Sequence, residues 1–170
     1  SLRHCEMHNV RATPIMVDSW TSGAWNSDLV LWDNLVHDNG SVAWDDPNQS
    51  LDPDNHGISL GMRQERIWVL DSTFYHNAGN GIQINSGTSG ADRSHHIYFG
   101  RNTGYQNRQC TFGCKQAADV VVSQNTLYDD RAREVNVNGP YQSAIFTQYW
   151  PERVRVKCKT DKSLAIAHDL

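Results

Sequence analysis

The sequence predicts an all-β fold, a single-stranded parallel solenoid of about five to six coils with three parallel sheets. Two observations predict it. Short apolar strands recur, each followed by a polar residue at two fixed steps. The copies are Ile67-Trp68-Val69 with Ser72 and Asn77, Ile97-Tyr98-Phe99 with Asn102 and Asn107, and Val120-Val121-Val122 with Asn125 and Asp130. The second observation is the spacing, 30 residues from Ile67 to Ile97 and 23 from there to Val120. The motif is kept while the connections vary, as stacked coils with free loops require.

The remaining elements fall into the same template. Leu29-Val30-Leu31 with Asn34 and Asn39 opens a second coil, and Asn9 with Ile15-Met16-Val17 supplies the back half of a first. Ser1-Leu2-Arg3 falls straight into a repeat, and Val154-Arg155-Val156 opens a sixth coil. Alternate apolar residues point inward, as strands demand. In the best copy these are Ile67, Val69, Phe74, Ile82 and Ile84. The equivalents are Leu29, Leu31, Val36, Ile58 and Leu60, then Ile97, Phe99, Phe112 and Cys114, then Val120, Val122, Leu127, Val135 and Val137. The polar residues form two columns, Asn34, Ser72, Asn102 and Asn125 in one, and Asn9, Asn39, Asn77, Asn107 and Asp130 in the other. Asn suits such corners because it tolerates left-handed backbone and its amide can bond to the equivalent group one coil away. Residues 1–156 are expected to form the solenoid and 157–170 a C-terminal cap or tail.

Composition agrees. The chain has 170 residues, one domain by length, and its 38% hydrophobic content suits a core one side chain deep per strand. Fifteen Lys and Arg against nineteen acidic residues, net −4, give no nucleic-acid footprint. No apolar run is long enough for a membrane span, and no signal-peptide pattern opens the chain. Of the four cysteines, Cys110 and Cys114 are expected as core thiols; a zinc site built with His95 and His96 is the alternative.

These copies, of the form V/I-x-V/I-x-x-N-x-x-x-x-N-x-x-x-G-I-x-I, make the chain resemble the right-handed parallel β-helix proteins over about residues 5–156. Pectate and alginate lyases, mannuronan epimerases, polygalacturonases and phage tailspikes share that architecture. The resemblance implies an extracellular or periplasmic protein that contacts polysaccharide.

Loops carry function in such a scaffold. The Ser41–Asn55 insertion is acidic, and Asp45, Asp52 and Asp54 are candidate Ca²⁺ ligands; a solvated turn is the alternative. Three further loops, 62–66, 85–96 and 115–119, open on one edge and bring Arg63, Arg66, Asp92, Arg93, His95, His96 and Lys115 onto one rim. Beside it lies the outer side of the first sheet, Val30, Trp68, Tyr98, Val121 and Arg155. Aromatic faces suit sugar rings and cations suit uronate carboxylates. Lyase chemistry at such a rim implies Lys115, His95 or His96 as base, Arg63, Arg66 or Arg93 neutralising the carboxylate, and Trp68 and Tyr98 binding sugar. Tyr75, Tyr105 and Tyr128, with His37 in register, are expected as a structural ladder or a binding stripe. The competing reading is a non-catalytic structural or adhesin-like module, or a fragment of a longer β-helix protein. Homo-oligomers through solenoid ends or faces are expected in either case.

Overall fold

Alternating apolar residues interrupted every few positions by a polar corner leave this chain only short strands, which gain stability by pairing with the next coil. The computed structural model describes residues 1–19, 23–46, 55–86 and 91–130, and the backbone of strands at 145–148, 154–157 and 166–168. The first coil holds β1 (Leu2–Arg3), β2 (Glu6–His8) and β3 (Ile15–Val17), and the second β4 (Asn26–Trp32), β5 (Leu35–His37) and β6 (Ile58–Leu60). The third has β7 (Gln64–Leu70), β8 (Thr73–Tyr75) and β9 (Ile82–Asn85), and the fourth β10 (His95–Gly100), β11 (Thr103–Tyr105) and β12 (Phe112–Lys115). The fifth has β13 (Ala118–Ser123), β14 (Thr126–Tyr128) and β15 (Ile145–Gln148), after which come β16 (Val154–Lys157) and β17 (Ile166–His168). Each of the first five coils gives one strand to each of three sheets, and β16 and β17 extend the first and third. All the pairings are parallel. The fold is therefore the three-sheeted parallel solenoid that the repeats predict. Among the described residues there is no helix, hence none long and apolar enough to cross a membrane.

The register matches the repeat alignment: Leu29, Ile67, Ile97, Val120 and Val154 stack, as do Ile58, Ile82 and Phe112. One third strand differs. Val135 and Val137 were expected to follow Leu127, but β12 pairs with Ile145–Gln148, and 131–144 lie outside the described residues. Two alternating apolar runs follow Leu127, and periodicity alone cannot choose between them. In the stretch expected as a tail, Ile166–His168 pairs with β15 as a third-sheet strand.

The core is a stack of inward side chains, with Phe74, Phe99 and Phe112 filling its middle. Phe99 lies 6.1 Å from Phe74 and 4.7 Å from Phe112, ring centre to ring centre. The inward residue of β11 is Gly104, because a Cβ there would meet the Thr111 side chain at 2.1 Å. Cys114 is an inward thiol stacked on Ile84, and burial pushes its pKa up to about 12. Cys110 is buried too, but its Sγ donates to Asn80 Oδ1 at 2.9 Å at the turn before β12.

Both polar columns form. Asn34 Oδ1 accepts from Cys5 N, Ser72 Oγ from Asn34 N, Asn102 Oδ1 from Ser72 N and Asn125 Oδ1 from Asn102 N, at 2.8–3.1 Å. In the second column Asn39 Nδ2 donates to Asn77 Oδ1, Asn77 Nδ2 to Asn107 Oδ1 and Asn107 Nδ2 to Asp130 Oδ1, at 2.9–3.1 Å. Two expectations are corrected. Asn9 is not in this column; Val10 takes its place, donating its N–H to Asn39 Oδ1 at 3.2 Å. Nor are the column residues the left-handed ones. That conformation belongs to the residue before each, Asp33, Asp71, Arg101 and Gln124 in one corner and Asn9, Asp38, His76, Gln106 and Asp129 in the other. The left-handed residue turns the chain, and the next one satisfies the buried corner.

The change from Asn to Asp at the last described position of the second column follows from its neighbours. Asp130 Oδ1 accepts from Asn107 N and Nδ2, and Oδ2 from Thr111 N. A carboxylate can face donors with both oxygens, whereas a carboxamide cannot.

Two predictions follow from the columns. Asn107→Ala orphans several buried partners, and we expect a loss on the order of 3 kcal/mol, a Tm lower by roughly 10 °C. Asn9→Gly, at a left-handed surface position, should leave Tm within about 1 °C; thermal melts giving equal losses would refute the column assignment. For Asp130, burial raises the pKa to about 6 against the opposing pull of the Asn107 and Thr111 donors. The folded pKa lies above the unfolded value of 3.8, so this group contributes most below about pH 4 and its contribution is lost as pH rises through 6. The Tm difference between wild type and Asp130→Asn should thus move in favour of wild type from pH 7 to pH 4; a constant difference contradicts this.

Candidate functional site

A third left-handed column runs through the first sheet itself. Asp28, Arg66, His96 and Asp119 have φ between 49° and 59° in the middle of β4, β7, β10 and β13, between the paired positions on either side. Such a residue breaks the two-residue alternation of a strand, so it and its predecessor reach the same side. His95 Nδ1 and His96 Nδ1 accordingly lie 2.6 Å apart, and Arg66 Nη1 lies 2.8 Å from its neighbour Glu65. One of these nitrogens donates to the other, and which one does so depends on the tautomer.

The groups form one network across three coils. Arg66 makes a bidentate pair with Asp28, Nε to Oδ1 at 2.7 Å and Nη2 to Oδ2 at 3.0 Å, besides its contact with Glu65. The Asp28 hydrogen bond raises the guanidinium pKa, and the same bond lowers that of Asp28. Glu65 Oε2 stands 4.0 Å from His95 Nε2, and the Trp25 ring lies 5.0 Å from that of His95. Arg63 is engaged as well, with Nη2 2.7 Å from Asp92 Oδ1 and Nη1 donating to Ser19 O at 2.7 Å.

Trp68 and Tyr98 sit beside this network, paired in register and half-buried between Val30 and Val121 on the outer side of the sheet. The Tyr98 ring lies along its strand over Gly100, where a Cβ would meet the ring at 2.5 Å. Arg93 and Lys115 are half-buried at the corners between third and first sheets. Ala118 N donates to Ser94 O at 2.8 Å and Ser86 N to Lys115 O at 3.1 Å, which makes these corners neighbours. Arg93 Nε is buried without a hydrogen-bond partner, and neither cation has an ion pair among the described residues.

The structure thus unites His95, His96, Arg66, Trp68 and Tyr98 on adjacent strands, with Arg63, Arg93 and Lys115 at the neighbouring corners. Asp45 is exposed, while Asp52 and Asp54 lie outside the described residues. Among the described residues no group of three or more His, Cys, Asp or Glu side chains is arranged to hold a metal, the zinc alternative included. Sequence reading missed Asp28, Glu65 and Trp25. The signal for the first was present, because Asp28, Arg66, His96 and Asp119 align once the register is set.

On the second sheet the ladder is longer than expected. His8, His37, Tyr75, Tyr105 and Tyr128 stack with centroids 4.6–5.2 Å apart and planes within 8°. Rings stacked this way cover one another's faces and present edges outward. No protein-family model, no curated protein and no solved structure matches this chain.

Proposed function

We propose that the outer face of the first sheet binds a linear, carboxylate-bearing polysaccharide, with Trp68 and Tyr98 against sugar rings and Arg93 and Lys115 toward carboxylates. The observation that supports this most is the placement of two half-exposed aromatic rings in register beside cations that have no counter-ion among the described residues. The His95–His96 pair supplies a base for lyase- or epimerase-like proton abstraction at C5, with Glu65 beside His95 as a second carrier. One observation favours a second reading, a non-catalytic binding module. Arg66 and Arg63 already pair with Asp28, Glu65 and Asp92, so neither is free to neutralise a uronate enolate.

A panel of alginate, pectate and glycosaminoglycans, followed by calorimetry and by absorbance of unsaturated product, tests both readings. Binding with product supports the lyase-like one, and binding without product the module; no binding to any of them refutes the proposal. Trp68→Ala should weaken binding roughly tenfold or more with Tm changed by less than about 3 °C. Gly100→Ala should lift the Tyr98 ring from its strand and alter affinity at nearly unchanged Tm, since only the mobile end of the ring must shift. If product forms, His96→Ala should abolish it while binding persists.

A further inference from the structure

We propose that the joint between the first and second coils is a pH-operated latch, closed while His37 is an imidazolium and loosened when that ring loses its proton. His37 stands on β5 with its side chain only 11% exposed. Its Nε2 lies 3.0 Å from Glu6 Oε1 on β2 of the first coil, and its Nδ1 lies 2.6 Å from Asp38 Oδ2 at its own corner. A carboxylate only accepts, and a neutral imidazole carries a single N–H, so only the doubly protonated ring satisfies both partners. The ring cannot swing aside, because it is stacked between His8 at 5.2 Å and Tyr75 at 4.6 Å. The Tyr75 face favours a cation over a neutral ring.

The titratable groups facing this site are Glu6 and His8 from β2, Asp38 from the corner, and Tyr75 and His76 from the third coil. His76 Nδ1 reaches the other Asp38 oxygen at 3.3 Å, and its Nε2 meets Gln106 Oε1 at 3.0 Å. Burial opposes the charge on His37, but hydrogen bonds and charges of Asp38 and Glu6 outweigh it, and the pKa stands above 6.5. The folded value exceeds the unfolded one, so the stabilisation is complete below pH 6.5 and is lost as pH rises through the His37 pKa.

The location makes this a latch and not a general pH effect. The second ion pair across the same joint is also a histidine pair, His4 Nδ1 to Asp33 Oδ2 at 2.8 Å. The next two joints each hold an arginine–carboxylate pair as well, Arg66–Asp28 and Arg101–Asp71, and arginine keeps its charge throughout. Among the described residues, therefore, the first joint alone has only histidine cations in its ion pairs. When His37 is neutral, Glu6 or Asp38 loses its donor, and the joint keeps its backbone pairing and the side-chain-to-backbone bonds from Asn34 Nδ2 to Leu2 O and Asn39 Nδ2 to Met7 O.

Amide hydrogen exchange reads the joint directly, because His4 N–H donates to Trp32 O and Asn9 N–H to Asp38 O. After correction for intrinsic rates, protection at His4 and Asn9 should fall severalfold between pH 6 and pH 8.5, as the His37 proton is lost. Arg101 N–H, bonded to Ser123 O, serves as an internal control whose protection should hold. His37→Phe keeps a ring in the stack and removes the proton, so the fall at Asn9, whose amide bonds to Asp38, should be lost, while the His4 amide keeps whatever the separate His4–Asp33 pair contributes. Glu6→Gln, which leaves the ring intact, should lower the His37 titration midpoint in NMR. No fall in wild type, an equal fall at Asn9 in His37→Phe, or an unmoved midpoint in Glu6→Gln would each overturn the latch.

Discussion

The oxygens of Asn34, Ser72, Asn102 and Asn125 each receive the backbone N–H of the coil before, and this buried chain of hydrogen bonds sets the register of everything outside it. A slip of one residue would leave a buried N–H without an acceptor at every coil and would turn the inward set outward. Hydrophobic stacking alone resists a slip of two residues only weakly, since that keeps the inward set inward and Ile, Val and Leu occupy neighbouring inward positions interchangeably. Outer side chains far apart in sequence therefore stand in fixed columns, and Arg66 meets Asp28 because Ile67 is locked beside Leu29.

The strands and columns were legible because they repeat, and a repeat supplies its own alignment. Asn9 was misread because Asn meets either requirement of the corner, left-handed backbone or side-chain acceptor, and composition does not say which. Asn9 does the first and Asn39 the second. The third strand of the fifth coil was expected at Val135 and Val137, whereas β12 pairs with Ile145–Gln148, for a related reason, as two alternating runs compete downstream of Leu127. Trp68, Tyr98 and the His95–His96 pair were found because register places them together. Their counter-ions were not, because pairing outside a core depends on which long side chains reach one another. Asp92 was expected on the rim, but nothing in its spacing assigned it to Arg63.

Left-handed backbone in non-glycine residues is commonly a mark of a strained functional position. In this chain it recurs at equivalent corners of successive coils, in Asp33, Asp71, Arg101 and Gln124 and again in Asp38, His76, Gln106 and Asp129. Recurrence at that frequency makes it a property of the coil. The positive φ of Arg66 and His96 is therefore no evidence of catalysis. Its consequence is geometric, since it turns two successive side chains to one side and concentrates polar groups at the entrance of the first sheet.

The same geometry separates the two aromatic features. A column with a ring in every coil stacks along the axis, as His8, His37, Tyr75, Tyr105 and Tyr128 do, and each interior ring spends both faces on its neighbours. A ligand can reach only edges and hydroxyls there, so that column braces the scaffold, with His37 held inside it as a charge. Trp68 and Tyr98 interrupt a column of valines, and no ring contact joins them among the described residues. Tyr98 instead lies over Gly100, half-buried beside Trp68. An irregular column without ring-on-ring stacking suits a sugar better than a regular one whose faces are filled, and this contrast is the reason for proposing the first sheet as the binding surface.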